Sequence, residues 1–202
     1  MGGRQTWQWG VQYPGWMNGL APMISSPLPN QGRRGAIDLL PAQIIQSDPA
    51  WKNGDYERNP ASARVADLVY SLFLRPAVWY DRELPTRDDV RKWVREGKGQ
   101  FDWPDANDFL YMMALNDGFD AYSQLDRIEC PVLMINMAGD LMVPVGTYPA
   151  DAIIARLKTG GTYVEVKEES DYGHGALGRT VAVWGPKLRA WLEGLPPRER
   201  VR

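Results

Sequence analysis

The sequence predicts an α/β chain, a short parallel sheet with flanking helices interrupted by a separate helical layer. Three observations carry this. Pro131-Val132-Leu133-Met134-Ile135-Asn136-Met137 is the continuous apolar run expected of a strand covered on both faces. Outside residues 27–127 the elements alternate β, α, β, α, which calls for parallel strands joined by right-handed crossovers. From Pro27 to about Arg127 helical patterns follow one another with no strand between them, as in a helical layer of its own.

The elements follow in order. Gly3 to Tyr13 is helical and closes at Pro14-Gly15. Leu20 to Ser25 is a short apolar strand in which Pro22 removes one ladder donor. Asn59-Pro60 has the form of an N-cap followed by proline at the first helical position. After it Val65, Leu68, Val69, Leu72 and Phe73 recur as one apolar face, ending before Arg75-Pro76. Thr86-Arg87-Asp88-Asp89 resembles a capping box with Asp for Glu, and Val90, Trp93 and Val94 supply the buried face behind it. Asp105 to Asn116 is a further helix, making roughly four in this block.

Strand character returns at Val132–Met137. Ala150 to Lys158 is a helix with Pro149 near its start and Gly160-Gly161 beyond its end. Thr162 to Val166 is the next strand. A last helix from about Ala176 to Leu192 carries Val181, Trp184, Leu188, Trp191 and Leu192 on one face, with a kink expected at Pro186.

Composition narrows the function. At 202 residues, 44% hydrophobic and 24% charged, with a net charge of −2 and no basic run, the chain has no general attraction to nucleic acid or acidic membrane. No apolar run is long enough to span a bilayer, and the start lacks a signal-peptide pattern. The single Cys130 excludes an internal disulfide framework and fits a reducing, cytoplasmic setting. Nine tryptophans and nine tyrosines point to core packing or to a large apolar pocket or lid. Met1-Gly2-Gly3-Arg4-Gln5-Thr6 fits the N-myristoylation template, which is short and matches often by chance.

Ligands of open parallel sheets gather beyond the carboxyl ends of the strands. After Val132–Met137 comes Ala138-Gly139-Asp140-Leu141-Met142-Val143-Pro144. After Thr162–Val166 comes Ser170-Asp171-Tyr172-Gly173-His174-Gly175, which holds the only histidine. An acid and a histidine at successive strand ends are the orienter and base of a nucleophilic triad, with Asp140 holding the imidazole of His174 in one tautomer. The nucleophile of such a site sits at a Gly-x-Ser-x-Gly strand-to-helix elbow, ahead of both partners. No such motif occurs here. Met1-Gly2-Gly3 running into a helix is what remains of a Ser-Met-Gly-Gly elbow once everything through the serine is removed.

Met1-Gly2-Gly3-Arg4-Gln5-Thr6-Trp7-Gln8-Trp9-Gly10-Val11-Gln12-Tyr13-Pro14 is similar to the helix after the nucleophile in the homoserine O-acetyltransferase family of α/β-hydrolase-fold proteins. Ser47-Asp48-Pro49-Ala50-Trp51-Lys52-Asn53-Gly54-Asp55-Tyr56 resembles that family's lid motif. Phe101 to Asp120, with Asp105-Ala106-Asn107-Asp108-Phe109-Leu110-Tyr111, resembles its last lid segment. The resemblance covers nearly the whole chain. It implies the carboxyl-terminal part of an α/β-hydrolase fold, about three parallel strands with flanking helices plus an inserted helical lid. Residues 1–26 and 128–195 are then a partial core, 27–127 the lid and 196–202 a polar tail.

The family implies a serine–histidine–aspartate triad, its acid and base falling on Asp140 and His174. The serine has no counterpart; its position would immediately precede Met1, whose amide would serve the oxyanion hole. Arg64 matches a lid arginine near the substrate carboxylate and is the candidate substrate-binding residue, the alternative being a solvated lid arginine, since its tyrosine, Tyr70, is six residues on instead of seven. His174 is followed by Gly175 where the family has an Asp suited to an ammonium group. Both departures favour another ester or acyl group over homoserine. The expected function is acyl transfer or ester hydrolysis, with acetyl-CoA or another acyl donor as substrate and a small-molecule acceptor, and with no bound cofactor or metal. Without the serine this chain is expected to be inactive. The alternative is a non-catalytic remnant or interaction module, its unpaired strand edge leading to poor solubility, self-association into a homo-oligomer, or dependence on a partner.

Overall fold

A computed structural model describes residues 2–102, 104–167 and 172–196. In chain order the regular elements are α1 (Gly2–Gln12), α2 (Gly32–Gln46), α3 (Ser62–Ser71), α4 (Ala77–Glu83), α5 (Arg87–Glu96), α6 (Ala106–Ala114), β1 (Val132–Met137), α7 (Ala150–Ala155), β2 (Gly161–Val166) and α8 (Val181–Glu193). They fall into two compact units, one of residues 1–29 with 120–202 and one of residues 30–119. Among the described residues no helix is long and apolar enough to cross a membrane.

In the first unit β1 and β2 pair in parallel, with Val132 opposite Gly161 and Met137 opposite Val166. All six β1 side chains are buried, as the apolar run requires. The segment 20–24 lies along the other edge of β1. Leu20 N–H donates to Pro131 O and Ile24 N–H to Ile135 O, while Leu20 O and Pro22 O accept from Leu133 and Ile135. Pro22 has no N–H to complete the rung between them. The expected strand is therefore reduced to two bridges, Leu20 to Val132 and Met23 to Ile135.

One face of this sheet presents Leu133, Ile135, Met137, Val164 and Val166 to Ala176 and to the half-buried Trp184, Leu188 and Trp191. The last helix starts later than the sequence suggests. Gly173–Arg179 is a 3-10 turn, α8 begins at Val181, and Val181 and Leu192 of the expected apolar face are exposed. α1 buries Trp7, Gly10 and Val11, an i, i+3, i+4 stripe. Gly10 lets the helix sit close, because a Cβ there would stand 2.4 Å from Leu20 Cδ1. Each of these large side chains contributes on the order of 1.5–3 kcal/mol by leaving water.

The helical unit packs α2, α3 and α6 around Ile45, Ala63, Ala66, Ala106, Phe109 and Met113. Among its described residues it has five α-helices where roughly four are expected, and Pro41 stands inside α2 without breaking it. The face of α3 also differs from expectation. Ala63, Ala66, Asp67 and Leu68 are inward while Val65 and Leu72 are exposed. Small residues let α3 approach its neighbours, and apolar periodicity alone does not register them. Asn59 does not cap α3; its amide donates to Pro104 O and its carbonyl accepts from Ala106 N–H. The Thr86–Asp89 capping box forms in both directions, but Val94 behind it is exposed.

The two lid-like motifs meet within this unit. Trp51 Nε1 donates to Asn107 Oδ1, Asn107 Nδ2 donates to Gly54 O, and the Tyr56 hydroxyl donates to Asp105 Oδ2 at 2.7 Å. Asp67, fully buried, accepts from the amides of Gln100 and Phe101 and so ties down the loop after α5. The Tyr80 hydroxyl donates to Ser71 O, and burial raises its pKa to about 12.

Candidate active site

Asp140 lies three residues beyond β1, where its backbone N–H turns back onto Met137 O. Its carboxylate is completely buried and fully engaged. Oδ1 accepts from the amides of Met142 at 2.7 Å and Val143 at 3.2 Å, and Oδ2 faces His174 Nδ1 at 2.8 Å. Residues 34 apart in sequence are thus in direct contact. The two amides fix the carboxylate plane, and that plane fixes the ring.

His174 occupies the 3-10 turn Gly173–Arg179. Gly173 has φ +51°, a left-handed conformation that favours glycine. Behind it Gly175 N–H donates to Tyr172 O, and the Arg179 guanidinium stacks 3.8 Å over the Tyr172 ring. A carboxylate can only accept, so the Nδ1 facing it is the ring nitrogen that donates. The side chain of His174 is 25% exposed against 0% for Asp140. The arrangement therefore sets an imidazole that solvent can reach on a carboxylate that solvent cannot.

The same carboxyl edge carries a residue that the sequence reading passed over. Ser25 N–H donates to Oδ1 of the buried Asn136 at 3.0 Å, which pins the end of segment 20–24 to the end of β1. Ser25 packs directly under the first turn of α1, where a Cβ on Gly3 would fall 2.3 Å from Ser25 Oγ and 2.4 Å from Met23 O. Gly3 is the sequence signal for this close approach.

Arg64 is placed in the helical unit. Its guanidinium donates to Val94 O at 2.9 Å and Gly97 O at 3.3 Å, closing the carboxyl end of α5. A cavity of about 630 Å³ in that unit is lined by Asp38, Trp51, Asp55, Asn107, Tyr111 and Asp117, and includes none of the candidate site residues. Met1, Ser170 and Asp171 lie outside the described residues. Among the described residues no group of three His, Cys, Asp or Glu side chains stands together as metal ligands.

No protein-family model matches the chain. Curated homoserine O-acetyltransferases do. That of Trichlorobacter lovleyi is 26% identical over 98% of this chain and 59% of its own length, and that of Citrifermentans bemidjiense is 26% identical over 96% and 58%. Among solved structures, homoserine O-acetyltransferase from Bacillus anthracis superposes with a TM-score of 0.85 at 20% identity, covering 98% of this chain and 59% of that one. Esterase E22 gives 0.80 at 20% identity, over 95% and 58%. The class is therefore a partial α/β-hydrolase fold. Within that class the chain is similar to the curated homoserine O-acetyltransferases, and it spans about three-fifths of the length of those two relatives.

Proposed function

We propose that this chain supplies the acid and the base of an acyl-transfer enzyme, an O-acyltransferase or ester hydrolase. The observation that carries the reading is the 2.8 Å contact of His174 Nδ1 with the buried Asp140 carboxylate. His174 Nε2 takes the proton of a serine hydroxyl as the oxygen attacks the acyl carbonyl. Asp140 stabilises the imidazolium that forms, and the imidazolium then protonates the leaving group. A second round, with an acceptor hydroxyl or water in place of the serine, releases the acyl group.

The reading needs a nucleophile that residues 1–202 do not hold in a Gly-x-Ser-x-Gly setting. The place for it is directly ahead of α1, so this sequence alone is proposed to be inactive. An acceptor other than homoserine is favoured, because Gly175 follows His174 and the Arg64 guanidinium is engaged by α5 carbonyls. The single Cys130 supports a cytoplasmic setting. The test compares this chain with one joined to an upstream serine elbow, assayed for ester hydrolysis and for acyl transfer from acetyl-CoA to small hydroxyl acceptors. Turnover by the joined chain that disappears in His174→Gln supports the reading. A joined, folded chain inert toward every ester and acyl donor sinks it.

A further inference from the structure

His174 sits on a turn whose own sequence does little to hold it. Gly173–Arg179 includes Gly173, Gly175 and Gly178, and a Cβ on Gly175 or Gly178 would meet nothing within 4 Å, so close packing requires neither. A glycine-rich segment loses much conformational entropy when it is fixed in one place. The carboxyl-terminal half of the turn is fastened from α8 and the residue before it. The buried Thr180 Oγ1 donates to Ala176 O at 2.9 Å, and Trp184 Nε1 donates to Leu177 O at 2.9 Å. The two ends of the turn are joined by a different contact. The Arg179 guanidinium stands 3.8 Å from the centre of the Tyr172 ring, and that ring packs against the core cluster that contains Ile135 and Met137. Tyr172 is thus anchored on the sheet, and Arg179 ties the far end of the turn to it.

We infer that Tyr172 and Arg179 are a pair of positioning residues, a cation–π clamp that closes the turn around His174 and keeps Nδ1 on the Asp140 carboxylate. The tautomer of an imidazole is set by the hydrogen bond its ring nitrogens make. Nδ1 keeps the proton while it faces Asp140 Oδ2, and it faces that oxygen only while the turn stays against the end of β1. Opening of the turn takes the ring off its acceptor and releases the tautomer. The clamp therefore acts on chemistry through the ring of His174. A role in turnover rests on the acyl-transfer reading; the clamp itself does not.

The chain has a single histidine, so its ring nitrogens are read without ambiguity. The 202-residue chain, labelled with nitrogen-15, is held at a pH where the ring is neutral, and the imidazole nitrogen shifts give the ratio of Nδ1-bound to Nε2-bound proton. Arg179→Gln changes an exposed side chain and removes the cation. It is expected to lower the ratio about two- to fivefold, as for one exposed cation–π pair. Tyr172→Leu should lower it as far, Tyr172→Phe should keep the parent ratio because the ring face is retained, and the double variant of Arg179→Gln with Tyr172→Leu should fall no further than either alone. A role confined to stability would lower the melting temperature and leave the ratio where it was. An unchanged ratio in Arg179→Gln, a Tyr172→Phe variant that behaves like Tyr172→Leu, or losses that add in the double variant would each overturn the inference. The ratio is read without turnover, so its failure leaves the acyl-transfer reading standing. A nucleophile-bearing chain that keeps the parent ratio but is inert overturns only that reading.

Discussion

Asp140 and His174 are joined by one contact, Oδ2 to Nδ1 at 2.8 Å, while the other carboxylate oxygen is held by the amides of Met142 and Val143. The acid is oriented by backbone, and the histidine is oriented by the acid. Asp140→Asn keeps the size and an acceptor for the amides but can present an N–H to the ring, which favours the wrong tautomer. In a nucleophile-bearing chain kcat is expected to fall about 10⁴-fold, the scale seen when a triad acid becomes an amide. Steady-state kinetics measures the loss. Imidazole nitrogen shifts of the 202-residue chain should show the proton leaving Nδ1.

Gly3 and Gly2 make a controlled pair. A Cβ at Gly3 meets Ser25 Oγ and the Met23 carbonyl at under 2.5 Å, whereas one at Gly2 meets nothing within 4 Å. Gly3→Ala is expected to cost about 1–3 kcal/mol through overpacking. Gly2→Ala should be neutral or slightly stabilising, since alanine is the better helix former. Urea unfolding of both variants checks the contrast.

Asp67 is expected to be the most sensitive acidic position of the helical unit. Its buried carboxylate accepts from Gln100 and Phe101 amides, and Gly99 passes so close that a Cβ would stand 2.3 Å from it. Asp67→Ala leaves those amides without their acceptor and should cost about 3 kcal/mol. Hydrogen exchange at residues 100 and 101 should rise with the loss of stability in denaturant.

Arg64 offers a test of structure against substrate binding. With its guanidinium on Val94 and Gly97 carbonyls, Arg64→Ala is expected to lower stability by about 1 kcal/mol. KM of a nucleophile-bearing chain should stay unchanged. A large rise in KM at unchanged melting temperature would return Arg64 to the substrate.

Acid should loosen the helical unit through Asp105. The Tyr56 hydroxyl, ahead of the amides of Asp108 and Asn107, holds its carboxyl below the usual carboxylate value. A depressed folded pKa contributes stability that is complete above the unfolded value, about 3.9, and is lost as pH falls through the folded one. Asp105 is exposed, so the effect is small. Melting curves from about pH 6 to pH 2 should fall less steeply for Asp105→Asn than for the parent.

What the sequence by itself determined is what near neighbours decide. The β1 run, the Thr86–Asp89 capping box and the places of Asp140 and His174 after their strands all rest on contiguous residues. Tertiary structure alone decided the rest. It turned α3 onto Ala63 and Ala66, carried α2 through Pro41, and took the Arg64 guanidinium for the end of α5. It also brought Asp140 and His174 to 2.8 Å and set the Ser25 hydroxyl under Gly3. The physical reason is shared. Periodicity reports which side chains avoid water, whereas close approach of backbones and pairing of buried polar groups depend on partners tens of residues away.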